Sequence, residues 1–575
     1  MSNSVEEIDD TDLILNFGYN AAVSHPLVAK HYVRARKRGT KIITVDPRII
    51  EAARISDMHL QLKNGTNIPL VNAMIYTIVT EGLHNQEFVD KYCENWDAFW
   101  DTVKNYTPEN VAEIVGVSAE DIRKAARMYA EAPTATINWG MGVTHWKQGV
   151  AVVRALASLA AITGNLGRPN VGVNPVRGQN NVQGSCDIGC LPNVYPGYQS
   201  VTDHEVRAKF AKYWGVPEEH ISDKVGFAIT ELGHKVDEGI IKAFWCMGED
   251  PIHSEPDSTA MRKTLEDLEF MVSQDIFMTE TATYADVVLP ATSWAEHECV
   301  FSSCDRGFQR SYAALPPFYE SLDDWEIISR VATAMGYPMH YENTKEIWDE
   351  LRDLCPIYYG VTYERMADTA LIHWPCFSED DPGAKYLYAN DERKFETKSG
   401  KAILYTEDYE GPFEPVNEEY PLILSTVREV GHYSSRTMTG NCQALATLAD
   451  EPGYVTVNPS DAEKYGIKDE ELVYVKSRRG KVFARVRVED RTNKGCVYMT
   501  YQWWVGSCNV LTGHFIAPIS KTPEFKYAAV ELEPIADQVQ AERDLQRDYA
   551  ELKQYLRDSA APQDHPYEVE EEVNA

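Results

Sequence analysis

Residues 11–20 read TDLILNFGYN, and the architecture of the chain follows from them. The apolar run has no polar alternation, as a strand covered on both faces requires. It stops at Gly18-Tyr19-Asn20, a turn sequence. Residues 25–38 carry helical spacing with a basic last turn closed by Gly39. Residues 41–45, KIITV, make a second strand that ends at Asp46-Pro47-Arg48. This order predicts a right-handed βαβ unit. Ligands of such sheets sit beyond the strand C-termini, which are Gly18, Tyr19 and Asn20 after the first strand, and Asp46 and Arg48 after the second. An acid at the place of Asp46 commonly binds a ribose or a base edge. The pattern GxGxxG is absent, so a standard NAD site is not supported.

The phrase recurs. Residues 241–247 (IKAFWCM) form a strand ending in Gly248-Glu249-Asp250, residues 257–268 are helical, and residues 269–273 lead to Gln274-Asp275. Gly18 to Asp46 is 28 residues and Gly248 to Asp275 is 27; Asp46 to Asp57 and Asp275 to Asp286 are both 11. Agreement at three positions argues for duplicated α/β units, each with its own nucleotide crevice. Helices are expected over 66–81, 86–92, 118–132, 149–164 and 323–335; residues 342–355 and the aromatic-rich stretch to about Phe377 extend the second unit. A strand is expected over 135–142 that runs into a turn. The glycine there, Gly142, is a candidate cofactor contact.

Residues 378–401 mark a charged, Gly/Pro-containing linker. Beyond it PLILST, GYVTV, LVYVKSRRGKVFARVRV and CVYMTY are strand-like, with Gly480 at a hairpin, so a closed barrel is expected. An amphipathic helix over 536–559 and an acidic tail follow.

With 575 residues, 44% of them hydrophobic, the chain can build several cores. No run of eighteen apolar residues appears. The first ten residues are acidic and polar, unlike a signal peptide. The balance of 55 Lys and Arg against 88 Asp and Glu, net −33, argues against a nucleic-acid partner. The cysteines show no CxxC; Cys186/Cys190 and Cys299/Cys304 are the nearest pairs, and free thiols are expected. His297 with Cys299 and Cys304 is too loose a set for a metal.

Residues 175–189, PVRGQNNVQGSCDIG, hold one cation, Arg177, among Gly, Asn and Gln without helical or strand periodicity. They read as a loop whose glycines bring the main chain close to a ligand. The amides of Gln179, Asn180, Asn181 and Gln183 suit a polar, ring-rich molecule.

Continued through NVYPGYQ (193–199), this stretch closely resembles the active-site loop of molybdenum- or tungsten-dependent formate dehydrogenases. The similarity runs from Ser2 to about Pro534 and is greatest to the selenocysteine type of formate hydrogenlyase complexes. It implies a bis(molybdopterin guanine dinucleotide) cofactor. It also implies two related doubly wound, Rossmann-like domains, over 1–180 and 181–377, and a six-stranded barrel over 402–535. Residues 536–575 complete the chain as a helix and tail. By the same resemblance Arg428, Glu429, His432, Ser434, Tyr501 and Lys526 contact the pterin dinucleotides, and Gly65, Gln179, Asn509 and Phe525 complete the set. Phe525 stands where the family has a tyrosine, so a hydroxyl contact is lost there. Arg177 is the expected formate clamp, because a guanidinium fork matches a carboxylate.

The resemblance further implies a metal cycling between oxidation states VI and IV, a [4Fe–4S] cluster, and a cytoplasmic setting. Iron–sulfur or hydrogenase- and diaphorase-type subunits are the implied redox partners. The family's selenocysteine or cysteine metal ligand and its cluster cysteines precede the point that matches Met1, so no metal ligand is expected here and Met1 is expected to be internal to a longer protein. Two other readings stay open: a related pterin enzyme acting on nitrate or another oxyanion, and an inactive or structural subunit without metal.

Overall fold

Strand β1 (Leu13–Phe17) is buried at all five positions. Leu13, Leu15 and Phe17 enter one core and Ile14 another, the alternation of a strand with both faces covered. The computed structural model describes residues 1–368, 371–389, 394–449 and 451–560. Helix α1 (Pro26–Arg38) opens on a proline and closes on Gly39 at φ 105°, a left-handed cap that glycine adopts without strain. Its Val28, Tyr32 and Ala35 pack on Ile14 and Ile42. Strands β2 (Lys41–Val45), β3 (Met58–Leu60), β4 (Ala135–Trp139) and β5 (Gly172–Pro175) complete a parallel sheet in the order β3-β2-β1-β4-β5. Helices α2 (Asn67–Thr80), α3 (Ala119–Glu131) and α4 (Gly149–Ile162) cover the face opposite α1. With helices on both faces, the sheet is doubly wound.

Residues 175–189 are not a loop throughout. Val182–Asp187 form a short helix, α5, entered through Asn181 at φ 57°. The Gln183 amide donates to the Asp187 carboxylate one turn on, at 2.7 Å, a local bond that composition does not announce. The second α/β unit follows, with α6 (Leu232–Asp237), β6 (Ala243–Met247), α7 (Ser258–Glu266), β7 (Phe270–Asp275) and β8 (Val287–Pro290). Its strands are parallel in the order β8-β7-β6.

The two units agree bond for bond. The Gly18 N–H donates to the Val45 carbonyl at 2.8 Å, and the Gly248 N–H to the Gln274 carbonyl at 2.9 Å. Asp46 accepts the Arg48 N–H at 2.9 Å, and Asp275 the Phe277 N–H at 3.0 Å. Asp57 accepts the Ile42 N–H at 2.9 Å, and Asp286 the Met271 N–H at 2.7 Å. Each of these last two carboxylates ties the start of one strand to the approach of the next. Asp57→Ala, which also releases Arg36 and Lys41, is expected to cost about 2 kcal/mol. Urea unfolding checks this; an unchanged midpoint would contradict it.

The six strands of the C-terminal region are β9 (Leu422–Val427), β10 (Tyr454–Val457), β11 (Leu472–Lys476), β12 (Lys481–Val488), β13 (Cys496–Thr500) and β14 (Ala528–Pro534). They close in the order β9-β13-β10-β12-β11-β14 around Val455, Val473, Val486 and Val497. The β11–β12 hairpin turns at Gly480, as its sequence predicts. β14 escapes the pattern because Glu531 and Glu533 interrupt its apolar run. Helix α8 (Gln538–Ala560) lays Ala541 and Leu545 on Leu472 and Phe483. Within residues 378–401, Tyr388 and Phe395 pack on the first domain's core, while 390–393 lie outside the described residues. The acidic tail, 562–575, lies outside them as well. No described helix is long and apolar enough to cross a membrane.

Candidate active site

The C-terminal ends of all five strands of the first sheet open into one cavity of about 360 Å³, roofed by the barrel. This is the crevice at which open α/β sheets bind ligands. Gly18, Tyr19 and Asn20 reach it after β1, Asp46 and Arg48 after β2, and Gly65 after β3. Gly142 follows β4 and Gln179 follows β5. The barrel contributes Arg428 and Ser434, then Tyr501 and Asn509, then Phe525 and Lys526. All of these are candidate site residues on the sequence alone.

Two turns cross at the floor. Gly142 donates its N–H to the Gly18 carbonyl at 3.1 Å. A Cβ on Gly142 would stand 2.5 Å from that oxygen, and Gly18 itself has φ +56°. Only glycine allows this approach, and it lets the main chain line the cavity directly.

The walls are cationic in a chain that is otherwise acidic. Lys526 is half-buried, and its ammonium donates to the Thr426 carbonyl at 2.5 Å. Burial, assisted by the charge of Arg48, pushes it down to about 8. The Arg48 guanidinium lies 5.1 Å above the Tyr498 ring. Arg428 donates to the Ser24 carbonyl at 3.3 Å and stacks on Tyr433 at 5.5 Å. Burial raises the Asp46 carboxyl above its usual range, against the pull of Arg48. Burial and the nearby Lys526 push His145 down to about 3, so its ring is neutral at pH 7.

Several buried polar atoms of the wall have no hydrogen-bond partner among the described residues: Tyr19 Oη, Asn20 Oδ1, Asn64 Nδ2, Ser254 Oγ and Arg428 Nε. Such atoms are costly unless a ligand satisfies them. Cations, amide donors and acceptors, and the ring of Trp146 together fit a molecule with phosphates and a polar fused-ring system. A pterin dinucleotide is such a molecule, and the residues present fit it.

Other nominated residues fall elsewhere. Gly248, Glu249, Asp250, Gln274 and Asp275 form a separate shelf at the ends of β6 and β7. There burial raises Asp275 to about 6. His432 is packed under the barrel loop, its ring nitrogens 3.0 Å from Thr439 Oγ1 and 2.7 Å from the Ala449 carbonyl. Glu429 turns back on the Val430 N–H. Neither lines the cavity. Arg177 sits between the wall residues Val176 and Gly178, with its side chain half-buried beside the cavity rather than in its wall.

Asn64, Tyr498, His25 and Ser254 were not nominated. Asn64 precedes Gly65 at a strand end and was legible on that ground. Tyr498 lies within β13 and reads as ordinary barrel core; its hydroxyl donates to Asn64 Oδ1 at 3.0 Å across 434 residues.

Comparison with known proteins gives the same picture. The family model “Molybdopterin oxidoreductase” matches residues 1–334, and “Molydopterin dinucleotide binding domain” matches residues 422–529. The chain is 56% identical over 562 residues to formate dehydrogenase H of Escherichia coli K12, covering 97% of this chain and 78% of that protein. It is 41% identical over 539 residues to the F420-dependent formate dehydrogenase subunit alpha of Methanocaldococcus jannaschii, covering 93% and 78%. In fold it is similar to acetylene hydratase from Pelobacter acetylenicus, with a TM-score of 0.73 at 20% identity, over 92% of this chain and 81% of that one. A glycine-floored, cation-walled crevice between a doubly wound sheet and a six-stranded barrel, matched by family models on both sides, identifies the chain as a member of the molybdopterin oxidoreductase family.

Proposed function

We propose that the chain is the catalytic subunit of a formate dehydrogenase, oxidising formate to CO2 or running the reverse, with a molybdenum or tungsten bis(molybdopterin guanine dinucleotide). The observation that carries this reading is Arg177. Its guanidinium lies beside the cofactor cavity with no carboxylate partner among the described residues, in a chain of net charge −33. A cation left unpaired in such a chain is reserved for an anion, and its planar fork fits a carboxylate. The dehydrogenases of Escherichia coli and Methanocaldococcus jannaschii support formate as that anion.

Formate becomes CO2 by losing two electrons and one proton. When bound, the metal–pterin group supplies the two-electron acceptor. The chain's own residues bind and orient. Arg177 holds the carboxylate and fixes the direction of the C–H bond. Lys526, Arg48 and Arg428 neutralise cofactor phosphates. Gln179, Asn20 and Asn509 meet the edges of polar rings. The shelf at Gly248–Asp250 and Gln274-Asp275 takes the second dinucleotide, as the first shelf takes its partner. An iron–sulfur cluster would carry the electrons onward to iron–sulfur, hydrogenase- or diaphorase-type subunits. The setting is cytoplasmic, in keeping with eleven unbridged cysteines.

The test is formate-dependent dye reduction by metal- and pterin-loaded protein under anaerobic conditions. Arg177→Ala is expected to lower kcat/KM for formate about a hundredfold or more while cofactor content stays constant. Fully loaded protein that does not turn over formate, or a variant as active as wild type, would refute the reading. Protein that purifies without metal or pterin points instead to a structural subunit.

A further inference from the structure

Arg177 carries a long, flexible side chain, and something must hold it toward a substrate only three heavy atoms in size. The structure shows what does. Nη1 of Arg177 donates to Sγ of Cys186 at 2.8 Å, and the Arg177 carbonyl is met by Nε2 of His25 at 2.5 Å. Main chain and guanidinium are therefore anchored separately.

The sulfur is a fixed point. Cys186 is 7% exposed and lies on the last turn of α5. The next residue, Asp187, is wholly buried and takes four neutral donors. The Gln183 amide and Tyr198 hydroxyl reach one oxygen at 2.7 and 2.9 Å. The Ser302 hydroxyl and Trp374 indole reach the other at 2.6 and 3.0 Å. The Tyr358 hydroxyl donates to the Asp187 carbonyl at 3.1 Å. The end of α5 is thus tied to segments more than a hundred residues away, and Cys186 cannot drift.

We propose that Cys186 is the positioning residue for Arg177: its sulfur holds one edge of the guanidinium, leaving the remaining N–H groups for the carboxylate of the substrate. A sulfur suits this role better than a carboxylate. It is a weak acceptor, so it orients the fork without competing with a small anion for it. Restricting the side chain beforehand lowers the ordering cost met on binding. The inference rests on the formate reading.

The test is calorimetric titration of sodium formate into cofactor-loaded full-length protein. It compares wild type, Cys186→Ala, Cys186→Ser, Arg177→Lys and the Cys186→Ala/Arg177→Lys double variant, with cofactor content and thermal midpoint recorded for each. Cys186→Ala is expected to weaken formate binding about tenfold, and Cys186→Ser, which keeps an acceptor, to restore most of it. In the Arg177→Lys background the same Cys186→Ala change is expected to alter affinity by less than about twofold, because the partner it acts through is gone. Undiminished affinity in Cys186→Ala overturns the proposal. So does an equal loss in both backgrounds, which marks a general packing role. If wild type itself binds no formate at millimolar concentration, the formate reading fails first and takes this inference with it.

Discussion

Gly142→Ala is expected to leave the protein without its cofactor and to cost roughly 3 kcal/mol or more of stability. The added methyl would meet the Gly18 carbonyl oxygen at 2.5 Å and the Gly18 Cα at 2.8 Å. Both are main-chain atoms at the end of β1, so neither can rotate away. Relief would require one of the two turns to move into the cavity or the 3.1 Å bond between them to break. Pterin content, read by fluorescence after oxidative release, and chemical denaturation measure the two effects. Gly215→Ala is the control: it carries a left-handed φ, +67°, that Gly142 lacks, but nothing lies within 4 Å of the added carbon, so it tests backbone strain without the clash. It should cost about 1 kcal/mol and leave cofactor content alone. If the two variants behave alike, the crossing of the turns has no special part in the site.

Lys526→Met is expected to move stability and cofactor binding in opposite directions. Burial, followed by the charge of Arg48, holds the Lys526 ammonium at about 8, below its ordinary value of about 10.4. The sign is that of a buried cation: folding favours the neutral amine. The charged form therefore costs the cofactor-free protein about 3 kcal/mol below pH 8, a penalty that fades as pH rises toward 10. Methionine fills similar space without charge, so the cofactor-free variant should unfold at a higher temperature than wild type at pH 7, with the gap closing near pH 10. The same change removes one of the cavity cations that would face cofactor phosphates. Cofactor content after purification should fall to a small fraction of wild type. A variant that is less stable at pH 7 and still loaded would show that Lys526 is there for packing.

Much of this site could be read from local sequence because of where α/β sheets put their ligands. Gly18–Asn20, Asp46–Arg48, Gly65 and Gly142 all follow strands, and strand ends are legible from apolar runs and turn residues. The duplication was legible for a related reason. The spacings Gly18–Asp46–Asp57 and Gly248–Asp275–Asp286 repeat because each residue makes a main-chain bond whose geometry fixes the distance along the chain.

Other features depended on the tertiary structure alone. Lys526 is one of many lysines in the sequence; only enclosure by the barrel and first sheet makes it a strained cation. His432, nominated by resemblance to a family motif, packs away from the cavity wall, while Tyr498, from the middle of a strand, faces it. Cys186 looks like any other free thiol until α5 folds and brings it 2.8 Å from Arg177. The sequence by itself determined strands, helices, turns and which strand ends carry polar residues, because these follow from residues within a few positions of one another. Only the fold decided burial, charge state and partnership. Each depends on groups brought together across hundreds of residues, as Arg428 with Ser24 and Tyr498 with Asn64 show, and no local pattern encodes those distances.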